Sequence, residues 1–146
     1  MATTVREAMT PGVETAWASQ PLEDAARMMK AGDFGSLPVV DEGRLVGMLT
    51  DRDIVVRAVA EGVDTRAAQV GDVASRDPVS VEPDQDLDEA RELMARHRIR
   101  RLPVVEDGRL VGVLSQADIA LESSEKKTGE VVQEISQPTS TAREKV

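Results

Sequence analysis

A chain of 146 residues is long enough for one compact domain or two very small ones, and at that size about two-thirds of the unfolded surface can be buried. One Trp, one Phe and no Tyr leave an aliphatic core, and the lack of Cys excludes disulfides, thiolate metal sites and cysteine nucleophiles. A formal net charge of -9 with so few rings argues against nucleic-acid binding, which needs surplus cations for phosphates and aromatics for base stacking.

The start, Met1 to Pro11, carries charges and no apolar run, so it does not read as a Sec-type signal peptide. No stretch approaches the ~20 apolar residues of a membrane span, so no membrane contact and a cytoplasmic location are expected. Val13 to Ala16 reads as a short strand. Pro21 to Ala31 carries a helical stripe of Leu22, Ala25, Ala26, Met28 and Met29, with Pro21 suited to a first helical position. Ser36 to Asp41 is a short apolar strand. Glu42-Gly43 makes a tight turn, and Arg44 to Leu49 returns as a second strand. After Thr50 the pattern turns helical through Ile54, Val55 and Ala58. Pro38 cannot donate to a ladder, so it belongs on an edge or near a strand start.

Moved 65 positions along itself, the sequence repeats without a gap. Leu37-Pro38-Val39-Val40 falls on Leu102-Pro103-Val104-Val105, and Gly43-Arg44-Leu45-Val46-Gly47 on Gly108-Arg109-Leu110-Val111-Gly112. Leu22, Ala25 and Met29 fall on Leu87, Ala90 and Met94. Two copies of one strand, helix, strand, strand, helix unit follow, an α+β class. Asp107-Gly108 gives the second copy a strong hairpin signal. The organisation expected is 1–60 for the first copy, 61–69 for a polar linker and 70–121 for the second copy. A helical segment follows over 122–135 (Val131, Val132, Ile135), then a disordered tail over 136–146.

Three sets of residues now resemble a pair of CBS domains, the family named after cystathionine beta-synthase. They are Met9-Thr10-Pro11, Gly35-Ser36-Leu37-Pro38-Val39-Val40, and Gly47-Met48-Leu49-Thr50-Asp51-Arg52-Asp53-Ile54. The second copy matches with Ile99 to Val105 and Gly112 to Ile119. The resemblance covers nearly all of Val5 to Leu121. It implies a tandem CBS domain pair, two β-α-β-β-α repeats packed through their sheets with pseudo-two-fold symmetry, often assembled as a flat dimer. It also implies clefts between the repeats for an adenosyl ligand: AMP, ADP, ATP, S-adenosylmethionine or an NAD-like molecule.

The family's ribose-contact motif falls on Thr50 with Asp53 and on Ser115 with Asp118. An ionised carboxylate can accept two charge-assisted hydrogen bonds from a ribose diol. A hydroxyl at a helix start can hold a phosphate beside free backbone N–H groups. The same spacing is also a capping box that needs no ligand, and the two roles can coexist. Beside the second proline lies Arg96-His97-Arg98-Ile99-Arg100-Arg101, where the first copy has Ala31-Gly32-Asp33-Phe34-Gly35-Ser36. Guanidinium forks match phosphate oxygens, so Arg101 is the expected phosphate contact, with Ser36 as its smaller neutral counterpart. Cations at a helix end also favour the dipole, which accounts for Arg96 and Arg98. Thr15 and Ser80 lie on the first strands, where the family's backbone borders the adenine. His97, the only histidine, is a poor metal site alone, so no metal is expected. No covalent cofactor and no catalytic group are expected either, since no P-loop or triad context is visible. The functional expectation is a regulatory sensor acting as a homodimer, with a client protein as a further partner. The alternative is a ligand-independent scaffold whose Thr/Ser-x-x-Asp motifs are only helix caps.

Overall fold

The computed structural model describes residues 3–131, with side chains to residue 123. Positions 132–135 of the expected helical segment and the tail 136–146 lie outside the described residues. The elements in order are α1 (Val5–Ala8), α2 (Leu22–Gly32), β1 (Ser36–Asp41), β2 (Arg44–Thr50) and α3 (Asp51–Asp53), which continues as a π-helical segment over Ile54–Val59. Then come α4 (Val70–Val73), β3 (Ser75–Arg76), α5 (Leu87–His97), β4 (Arg101–Glu106), β5 (Arg109–Ser115) and α6 (Gln116–Val131). The mixed α+β class with antiparallel strand pairing is as expected. The bounds of α1, α2, β1 and β2 recur 65 positions later in α4, α5, β4 and β5, so the sequence repeat is a structural one.

The hairpins form because two-residue type I′ turns need positive φ at both central positions, which matches the twist of the flanking strands. Glu42 and Gly43 have φ of 52 and 84, and Asp107 and Gly108 have 55 and 82. Helices α2 and α5 bury the repeated stripe Leu22, Ala25, Met29 and Leu87, Ala90, Met94. Pro21 stands one place before its expected position, as the cap residue of α2. Asp86 caps α5 by accepting from the Asp88 amide at 3.0 Å.

Val13 to Ala16 does not form the expected strand. Only Ala16 is bridged: its amide donates to Pro38 O at 2.9 Å and its carbonyl accepts from the Val40 amide at 2.8 Å. The next parallel ladder bond would come from residue 38, and proline has no N–H to give. The second copy repeats this at Val81, bonded to Pro103 O at 3.1 Å and the Val105 amide at 2.8 Å. Each proline thus faces the outer side of its strand, where ladder donors are not needed beyond one bridge.

Two compact units result, and each borrows from the other copy's sequence. One contains described residues 3–13, 79–106 and 111–131; the other contains 14–78 and 107–110. In the first, Val5 packs among Val81, Leu87, Ala90, Met94, Leu102, Val104 and Leu114. In the second, Ala68, Val70 and Val73 pack among Leu22, Ala25, Leu37, Val39 and Leu49. Neither α1 nor α4 was visible in the periodicity, because four residues are too short for it.

Two glycines admit the borrowed segments. β3 pairs with β2 through Gly47 and Arg76, and Thr10 bridges Val113. A Cβ on Gly47 would sit 2.7 Å from Ser75 O, and one on Gly112 would sit 2.8 Å from Thr10 O. Only glycine lets a passing backbone come that close.

The helix after β2 departs from its expected face. Ala60 N donates to Val55 O and Val63 N to Ala58 O, both i to i+5 bonds. The wider winding turns Val55 away from the line of Ala58. Ala58 is buried, whereas Val55, Val56 and Val59 are 57%, 43% and 62% exposed.

Candidate functional site

Both Thr/Ser-x-x-Asp motifs are capping boxes. In the unit built on the first copy, the Asp53 amide donates to Thr50 Oγ1 at 3.0 Å and the Thr50 amide donates to Asp53 Oδ2 at 3.0 Å. In the other unit, the Asp118 amide donates to Ser115 Oγ at 3.0 Å and the Ser115 amide to Asp118 Oδ2 at 3.0 Å. Each β-hairpin thus delivers its second strand into a helix whose first turn is locked by one hydroxyl and one carboxylate. Ionised carboxylates have about four acceptor positions, and the box uses one. The remainder is available to other donors.

What reaches those remaining positions differs between the units. Thr10 Oγ1 donates toward Asp118, 3.4 Å from both Oδ1 and Oδ2. Asp53 Oδ1 instead faces Arg57 Nε at 4.0 Å, an ion pair one helical turn apart. The Arg57 side chain is 52% exposed and that of Asp53 13%. Arg57 Nη1 donates to Val73 O at 3.2 Å, which ties the guanidinium to the end of α4.

The residues beside each proline are brought to these caps by the backbone. The Asp51 amide donates to Gly35 O, and the Gln116 amide to Arg100 O, both at 2.9 Å. Ser36 is the register partner of Thr50. Arg101 holds the matching place at the start of β4, half-buried. Arg96, His97, Arg98 and Arg100 are exposed, with Arg98 in a left-handed conformation (φ 56) closing α5. Thr15 is half-buried and Ser80 exposed, each directly before the bridging residue, Ala16 or Val81. Among the described residues, no group of three or more His, Cys, Asp and Glu gathers in a way that could hold a metal ion. No described helix is long and apolar enough to cross a membrane.

Thr10 and Arg57 were not singled out from the sequence as site residues. Arg57 had a readable signal, since an acid and a base four apart on a helix face one another. Thr10 had none beyond its place in Met9-Thr10-Pro11, because its partner is 108 positions away.

A duplicated α+β hairpin unit with a capped carboxylate in each copy defines a class of small tandem modules. The CBS domain model matches residues 5–59 and 70–125, and the chain belongs to the CBS domain family as a pair of such domains. The chain is 41% identical over 133 residues to the CBS domain-containing protein YhcV of Bacillus subtilis, covering 90% of this chain and 94% of that one. It is 38% identical over 141 residues to hypoxic response protein 1 of Mycobacterium tuberculosis, covering 96% and 99%. A crystal structure of hypoxic response protein I with two coordinated zinc ions superposes with a TM-score of 0.76 at 40% identity, over 82% of this chain and 98% of that one. The crystal structure of CBSX2 in complex with AMP superposes with a TM-score of 0.76 at 28% identity, over 85% and 98%.

Proposed function

We propose that this chain is a regulatory module that binds an adenosyl ligand (AMP, ADP, ATP, S-adenosylmethionine or an NAD-like molecule) at its capped carboxylates and acts as a homodimer. The observation that carries the reading is the pair of boxes. In each, the cap itself engages only Oδ2 of Asp53 or Asp118, which holds the carboxylate in place with acceptor capacity left for a diol beyond what Thr10 and Arg57 take up. The AMP complex of CBSX2 supports the ligand class. Arg101 at the start of β4 is the phosphate partner in one unit, with Ser115 and Asp118. Ser36, Thr50 and Asp53 form the other site, and the backbone at Thr15 and Ser80 borders the base. The role is binding rather than turnover.

Thermal melts of the full chain with AMP, ATP, NAD and S-adenosylmethionine test this. At least one ligand should raise Tm, because a ligand bound only to the folded state stabilises it by about 2.7 kcal/mol at a hundred times Kd. Asp53→Ala with Asp118→Ala should abolish the rise. A Tm indifferent to millimolar ligand would overturn the reading. The second reading is a ligand-independent scaffold, favoured by the completeness of both caps and by the exposed Val55, Val56 and Val59. It predicts a Tm that ignores nucleotides but rises with protein concentration.

A further inference from the structure

We infer that Arg57 reads the phosphate in the site built on Thr50 and Asp53, so that this site takes nucleoside phosphates in preference to nucleosides. The inference rests on the proposed function and adds to it the residue that selects among adenosyl ligands. Beside its proline the first copy has Ser36 where the second has Arg101, and so has no cation there. A phosphate brought close to the Asp53 carboxylate would meet repulsion that a cation must offset.

Arg57 supplies the missing charge from another position. Its Nε stands 4.0 Å from Asp53 Oδ1, near enough for attraction and too far for a direct hydrogen bond. Its Nη1 is already fixed on Val73 O, so part of the cost of ordering a long side chain is met before any ligand arrives. A guanidinium carries five N–H donors, and the two contacts described here leave most of them for oxygens at this half-exposed surface. In the second copy the position 65 residues on is Glu122, an acid, while Arg101 is present. At these two positions the copies are exchanged: an Arg on the helix in the first corresponds to Glu122 in the second, and an Arg at the strand start in the second corresponds to Ser36 in the first.

Isothermal titration of the full chain with AMP and with adenosine tests the assignment. Asp118→Asn is used throughout to remove the other site's carboxylate while keeping a cap acceptor. In that background, Arg57→Ala should weaken AMP about ten-fold, the scale of one charge-assisted contact. It should leave adenosine within about two-fold, because only the phosphate is read. Arg57→Lys should recover part of the AMP affinity. Equal weakening of AMP and adenosine would make Arg57 a structural tie to Val73 and overturn the inference. So would unchanged AMP binding. If the chain without Arg57 substitution binds neither compound, the proposed function falls first and takes this inference with it. A ligand-free melt of Arg57→Ala shows whether the variant is folded.

Discussion

At the scale of single residues, the proposed function gives each capped carboxylate a second duty beside the cap. The cap needs Oδ2 of Asp53 and Oδ2 of Asp118, and a ligand would need what is left. The hydroxyls carry the other half of each box and can be tested apart from the acids. Thr50→Ala leaves the Asp53 amide without its acceptor and should cost about 1 kcal/mol. Thr50→Ser should restore most of it. Urea unfolding followed by circular dichroism measures both, and equal midpoints for all three proteins would show that the cap contributes nothing. The Thr/Ser-x-x-Asp spacing made these boxes readable in advance. Thr10 was not readable, for a physical reason. A box closes within four residues, whereas Thr10 meets Asp118 only after the chain has folded back on itself.

At the scale of elements, the π-helical segment after Asp53 has the clearest consequence. A regular helix would have put Val55 near Ala58, toward the core. The i to i+5 bonds turn Val55 outward beside Val56 and Val59, onto one exposed aliphatic face. Such an exposed aliphatic face offers a contact for a second copy, as the proposed homodimer requires. Val55→Asp with Val59→Asp should therefore yield a monomer in sedimentation velocity without lowering the Tm of the dilute protein. Unchanged sedimentation would place the homodimer contact elsewhere. The strand β1 was legible to the residue, because a short continuous apolar run ended in a tight turn of positive φ. The strand expected at Val13 to Ala16 failed for an equally local reason. The partner residue that should have extended it is Pro38.

At the scale of the whole molecule, the repeat is duplicated but its packing is exchanged. Val5 is fully buried in the core made by the second copy, and Val70 in the core made by the first. A chain lacking residues 3–13 should lose amide protection in α5 and β4 and keep it in α2 and β1. Hydrogen exchange measured by mass spectrometry reads this directly. Loss confined to the first copy would contradict the unit boundaries. Removing Val5 alone, by Val5→Ala, should cost roughly 1–3 kcal/mol, as expected when a fully buried side chain is truncated.

The sequence by itself determined the two copies, their register, the hairpins and both capping boxes. All of these rest on contacts between residues a few places apart, or on identities that recur at one fixed spacing. Only the tertiary structure decided which core receives α1 and α4, why Gly47 and Gly112 must be glycine, and which group stands against Asp118. Those outcomes depend on a passing backbone that occupies the place where a Cβ would sit, or on side chains more than 100 residues apart. Neither leaves a trace in local periodicity.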